Sequence, residues 1–251
     1  MELHHHSHTA DPDSHRGRKK WTHYFWEFLM LFLAVLCGFL AEYQLEHIIE
    51  KQREKDYIRS FIEDLRSDTS FITTYLNRKI EKKKDLDSLI WYLNVPDPNQ
   101  YGQRIYFFGR QLTRTINFFP ADGTIKQLKN SGGLRLIKNQ QASDSIMAYD
   151  QAIELILLTQ SRQDNEVTEI RPMMGKLMNA NILETMIDGD IIRPPSGNPP
   201  LRTVNREFIL DFIYAIHQLK GSNDLNQVRL QRLKERAIGI ILFLKEEYHL
   251  K

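Results

Sequence analysis

The run FLMLFLAVLCGFLA at 28–41 is the most apolar in the chain, and it has no period: every face of a helix drawn through it is apolar. Fourteen residues are too few to cross a hydrocarbon core of about 30 Å, which takes about 20. Extended to 24–43 the segment has that length, with Glu27 and Glu42 near its ends. Trp21, Tyr24, Trp26 and Tyr43 are the amphipathic aromatics expected at two membrane interfaces. A buried helix of a soluble protein would need neither these ends nor the basic flank. A cleaved signal does not fit, because cleavage after Ala41 puts Phe39 where a small residue is required. A lipoprotein signal does not fit either, because Leu36 precedes Cys37. The pattern predicts an uncleaved signal anchor at 24–43.

From residue 39 to 95 there is neither glycine nor proline. Here apolar residues recur at steps of three and four: Ile58, Ile62, Leu65, Ile72 and Leu76, then Leu86, Ile90 and Leu93. This spacing predicts one long membrane-proximal helix over 44–94 with a coiled-coil-like stripe. Ile58–Leu76 is then the expected seam for a second copy. Thr69 fills one stripe position, and Lys79 and Lys83 dilute it. A break would fall at RSDTS, 66–70, where Ser and Asp favour caps.

The remainder, 95–251, reads as a helical domain. NVPDPNQYG is a loop, and 103–117 is a helix. FFPADGT is a turn from which Thr124 caps a short helix closed by Gly132 or Gly133. A helix from about Ser143 carries Ile146, Tyr149, Ile153, Ile156, Val167, Ile170, Met174 and Leu177 on one stripe, with Gln160 and Gln163 as polar members. Pro172 is expected to kink or end it. The segment 183–204, with DGDIIRPPSGNPPL, is expected to be irregular and mobile. Asn205 caps a helix that Gly221 closes, and a last helix from about Asn223 uses Leu230, Leu233, Ala237, Ile241, Leu244 and Tyr248. The fold class is all-α: an N-terminal transmembrane helix, a long coiled-coil-like helix and a helical bundle.

Charge orients the anchor. Arg16, Arg18, Lys19 and Lys20 crowd the N-terminal flank, whereas the first basic residue beyond the span is Lys51. The positive-inside rule places 1–23 in the cytoplasm and 44–251 outside it, with Lys51, Arg53 and Lys55 opposing. Overall, 34 basic side chains face 32 acidic ones, a net charge of +2, so no broad footprint for nucleic acid exists. The single cysteine, Cys37, excludes an intrachain disulfide and a four-cysteine zinc site.

Candidate chemistry is sparse. The tail 1–23 reads as disordered. Its His4, His5, His6 and His8 are metal-ligating types without fixed geometry or supporting shell. Glu27, Leu31, Ala34, Gly38 and Ala41 share one face, and Ala34/Gly38 form a small-xxx-small pair that lets helices approach closely in lipid. KIEKKKDLD is a solvated helix face, and NSGGLRLIKN lacks the ending of a phosphate loop. His217 falls within an amphipathic helix. No HExxH, dinucleotide fingerprint or Ser-His-Asp order is present.

The stretch FFPADGTIKQLKNSGGLRLIKNQQASDSIMAYDQAIE contains Ser131-Gly132, then Leu134, Leu136, Ile137 and Asn139. With the opening ELHHHSH and the block EFLMLFLAVLCGFLAEYQLEHIIEKQREKDYI, it resembles a family of uncharacterised single-pass bacterial membrane proteins grouped as a domain of unknown function. The resemblance covers roughly 1–150, and Gly133 departs from the family pattern. It implies one N-terminal span and a helical extracytoplasmic region. It carries over no catalytic residue.

The sequence therefore points to a non-enzymatic inner-membrane scaffold or accessory subunit of an envelope complex. Such a protein would use no cofactor and would act through helix–helix contacts, as a homo-oligomer or with envelope partners. Two alternatives remain open at this stage. One is a periplasmic sensor of an unknown small ligand signalling through a partner. The other is an envelope enzyme with a site near 183–204.

Overall fold

The computed structural model describes the backbone of residues 16–250 and the side chains of 21–250. The fold is all-α. The elements are α1 (Arg16–Asn94), α2 (Gly102–Leu112), α3 (Gly123–Asn130), α4 (Gln140–Leu177), α5 (Ala180–Thr185) and α6 (Arg206–Glu247). Single 3₁₀ turns at Pro98–Tyr101 and Gly133–Leu136 and a two-residue hairpin, β1 (Ile187–Asp188) with β2 (Ile191–Ile192), complete the set. The chain divides into two units, 1–53 and 54–251. The division falls inside the expected 44–94 segment, because from Glu54 onward the side chains of α1 pack against the rest of the chain.

The second unit is a bundle of four columns. Contacts between levels fix its topology. Along α1, Glu54, Asp68 and Lys79 meet Lys138, Tyr149 and Gln163 in that order, so α1 and α4 run parallel. Along α6, Lys220, Asp224 and Tyr248 meet Asp87, Lys83 and Glu54, so α6 runs antiparallel to both. The chain returns from the end of α1 to the start of α4 through α2, an extended run at 113–122, and α3. This return is a broken fourth column completing an up-down-up-down arrangement.

Each helix behaves as its apolar stripe dictates, with instructive exceptions. The α4 stripe from Ile146 to Leu177 is buried, including Gln160 and Gln163. Pro172 neither ends α4 nor falls outside it, because Ile170, Met174 and Leu177 around it are locked in the core. Gly221 does not close a helix either. α6 continues through it, since Leu219, Ser222 and Asn223 are all buried and the packing outweighs a glycine penalty of about 1 kcal/mol. α1 is unbroken at 66–70, where Asp68 is drawn inward instead of capping. The predicted helix at 103–117 stops at Leu112.

The expected oligomer stripe requires a correction. Ile58, Ile62, Leu65 and Ile72 are buried within this chain's own core, with Ile146, Tyr149, Ile153, Leu230 and Leu233, and Leu76 is half-buried against the same cluster. A stripe covered by α4 and α6 presents no seam to a second copy. The core has a second cluster, built from Leu86, Leu89, Leu93, Ile105, Tyr106, Ile170, Phe212 and their neighbours.

Segment 183–204 is strapped down rather than loose. Asn198 Oδ1 accepts from the Gln103 N–H at 3.0 Å, Tyr106 donates to Pro200 O at 3.2 Å, and Asn99 Oδ1 accepts from the Leu201 N–H at 2.9 Å. Gly102 permits this docking: a Cβ there would lie 1.9 Å from Pro199 O.

Candidate functional site

Three features stand apart from ordinary core: the exposed apolar stretch of α1, a polar layer across the bundle, and a groove between α1 and α6.

From Trp21 to Ile49 the large apolar side chains of α1 are exposed, with Leu29 half-buried. The helix contains a window with mean hydropathy 2.0, none of it buried, so it is long and apolar enough to cross a membrane. Glu27 lies 3.2 Å from His23 one turn earlier. Ala34, Gly38 and Ala41 fall on the same helical face as Glu27, and nothing in the described structure lies within 4 Å of a Cβ built on Gly38. His4, His5, His6 and His8 lie outside the described residues. Among those described, no cluster of three His, Cys, Asp or Glu has metal-binding geometry.

The residues that carry the resemblance join α3 to α4. Ser131 ends α3, with its Oγ donating to Gln127 O at 2.7 Å. Gly132 follows at φ +67°, the left-handed position that ends many helices. Leu134, Leu136 and Ile137 form and follow the 3₁₀ turn, with Ile137 buried. Asn139 caps α4: its Oδ1 accepts from the Ala142 N–H at 2.9 Å, and its Nδ2 donates to Glu247 at 2.7 Å. The motif is therefore a connector.

Thr124 does not cap α3. The free N–H groups there are taken by carboxylates from α1: Asp64 accepts from Thr124 N at 3.0 Å and Asp68 from Ala121 N at 2.7 Å. Asp68 also accepts from the Tyr149 hydroxyl at 2.6 Å. Burial pushes the Asp68 carboxyl up, and these two donors hold it back. Burial and the adjacent Asp68 push the Tyr149 phenol up.

Between the two apolar clusters lies the polar layer. Buried Lys79 donates to Gln163 Oε1 at 3.1 Å. Gln163 Oε1 also accepts from Asn226 at 3.0 Å, and Asn223 donates to Lys79 O at 3.1 Å. Gln160 holds the extended run by both its amide atoms, accepting from Phe118 N at 2.6 Å and donating to Phe118 O at 3.1 Å. Lys82 seals the end of α2, donating to Gln111 O and Leu112 O at 2.6 Å and to Arg114 O at 3.1 Å. Burial pushes Lys79 down to about 8 and Lys82 down to about 7, opposed by Asp164 and Asp85 respectively. The carbonyls around Lys82 further favour its ammonium form.

Beside Lys79, Gln163 and Asn223 lies a cavity of about 20 Å³, which admits one water molecule. Asn223 Oδ1 and Asn226 Oδ1 are buried without a hydrogen-bond partner among the described residues. The layer suits a structural role that fixes helix register. An open cleft of about 410 Å³, lined by Arg78, Glu81, Lys82, Asp85 and Arg114, adjoins it.

The third feature is an open groove of about 720 Å³ between α1 and α6. Leu76, Ile80 and Val228 give it an apolar centre, and Lys83, Asp224, Arg232 and Glu235 line it with both signs of charge. Reading the sequence missed the polar layer and this groove. The available signal was three helices with polar residues at core positions: Lys79, Gln160/Gln163 and Asn223/Asn226. No protein-family model, curated protein or solved structure matches this chain.

Proposed function

We propose that this chain is a non-enzymatic bacterial membrane protein whose N-terminal helix anchors it in the inner membrane and whose helical bundle acts through protein contacts. It serves as a homo-oligomer or as an accessory subunit of an envelope complex. The observation that carries the reading is the apolar stretch of α1, none of it buried. Left in water, side chains such as Phe28, Leu31, Phe32 and Phe39 would each forfeit about 1.5–3 kcal/mol of burial, so a lipid environment is the natural partner. The lysine and arginine bias before the span supports a cytoplasmic N-terminus and a periplasmic bundle. The bundle supports a contact role through its filled interior, whose polar layer encloses space for one water.

The test is gentle extraction of the full chain from its own membranes, followed by particle mass and mass spectrometry. A homo-oligomer, or companions at fixed stoichiometry, is the expected result. A lone monomer would overturn the reading. Gly38→Leu is expected to lower the self-associated fraction without changing the melting of the bundle, since nothing packs on Gly38 within the chain.

A further inference from the structure

We propose that the groove between α1 and α6 seats a second copy of this chain. The proposal rests on the protein-contact reading above and names the surface that serves it. The groove is open where the true core stripe is closed: Ile80 is 40% exposed and Val228 47% exposed. On α6 the exposed apolar positions continue from Val228 through Ile238 to Leu242, with Gln231 and Glu235 filling the intervening steps of three and four. This is a helical stripe that the chain itself does not cover.

Charge selects the occupant. The groove carries two cations, Lys83 and Arg232, and two anions, Asp224 and Glu235. A strongly acidic or strongly basic partner would satisfy one pair and oppose the other. A second copy brings the same balanced set. The ion pair between Lys83 Nζ and Asp224 Oδ2, 2.9 Å, shows that α1 and α6 hold opposite charges at one level of the bundle. A two-fold axis along the bundle carries each level onto itself. It lays α1 of one copy over α6 of the other, with Ile80 against the partner's Val228 and Lys83 against the partner's Asp224. Anchoring supplies the remainder. A stable soluble dimer needs about 800 Å² per partner. Copies tethered to one membrane meet at a raised effective concentration, so a narrower contact suffices.

The experiment uses the full chain in native membranes, with Cys37→Ser as background. Two differently tagged forms are co-expressed, one with Ile80→Cys and the other with Val228→Cys, and mildly oxidised. The expected result is a mixed-tag disulfide dimer, several-fold above a control pair in which Leu158→Cys, on the outer face of α4, replaces one partner. Particle mass in mild detergent is measured in parallel. An oligomer that forms without the Ile80–Val228 cross-link overturns the groove while sparing the protein-contact reading. A monomer bound to a different protein at fixed stoichiometry does the same. A lone monomer overturns both. Val228→Arg provides a second check: melting of the bundle stays unchanged while the dimer fraction falls.

Discussion

Residues 24–43 and residues 58–93 belong to one helix, and both are rich in large apolar side chains, leucine with phenylalanine in the first and leucine with isoleucine in the second. In the first stretch the apolar side chains surround the helix and are exposed. In the second they form one stripe, and most of that stripe is buried. The difference lies in the pattern and not in the amount of hydrophobicity. An all-round apolar helix has no polar face to turn toward water, so it calls for a non-aqueous solvent. A striped helix can bury its apolar side against two neighbours and leave the rest wet. The pattern thus changes along one helix without any break in its backbone.

The largest test of this contrast deletes one aromatic ring from each stretch. Phe61 is fully buried and meets Tyr149 edge-on at 6.0 Å between ring centroids. Phe61→Ala is expected to cost about 3–5 kcal/mol, a drop in Tm of roughly 6–20 °C for a unit of this size. Phe28→Ala, in the exposed stretch, is expected to leave the melting of the bundle unchanged. Thermal unfolding of the full chain in detergent, followed by circular dichroism, reads both. Equal drops would mean that the apolar stretch is a structural part of the bundle.

A second test reverses the sensitivity. An arginine at the centre of a span costs about 2.5–3.5 kcal/mol of insertion free energy. Leu33→Arg is therefore expected to move a large share of the chain out of the alkali-resistant membrane pellet, whereas Leu158→Arg on α4 leaves that share alone. Retention of the Leu33→Arg chain in the pellet would sink the membrane reading of α1.

The same contrast explains how far the sequence could be read. Stripes were legible because burial and period coincide, as the run from Ile146 to Leu177 shows. What covers a stripe was not legible. Ile58, Ile62, Leu65 and Ile72 have the spacing of an intermolecular seam, and only the return of α4 and α6 reveals the seam as internal. Local breakers misled for a related reason. Pro172 and Gly221 carry penalties of a few kcal/mol or less, which long packed helices absorb. Long-range capping was hidden altogether: the partners of Asp64 and Asp68 are 60 and 53 residues away in sequence. Of the candidate features, the exposed apolar stretch of α1 could be read from composition. The polar layer could not, because Lys79 looked like a diluted stripe position and is in fact 4% exposed.

Lys79 offers the finest test, because it places a charge where the stripe rule asks for an apolar group. At pH 7 it is protonated whether the chain is folded or not, since its folded value is about 8. Between there and the ordinary lysine value of 10.5, the unfolded chain binds a proton that the folded chain has released. Stability then rises with pH, by at most about 1.4 kcal/mol per unit. Above pH 10 the raised phenols of Tyr149 and Tyr248 act in the opposite sense, because the unfolded chain loses protons that the folded chain keeps. The informative window is therefore pH 8 to about 9.5. Lys82, whose folded value is about 7, adds a rise of the same sign in this window, so Lys79→Met is expected to remove only the Lys79 share of the slope. The substitution is also expected to stabilise the bundle at pH 7, because the desolvation cost disappears while Gln163 Oε1 keeps Asn226 as a donor. Lys83→Met is the control. Its ammonium is raised by Asp224, so it stays protonated through the window in folded and unfolded chains alike and leaves the slope unchanged. Urea unfolding at stepped pH decides it: parallel curves for wild type and Lys79→Met would mean that Lys79 keeps its proton inside the bundle, and that the layer is wetter than its burial implies.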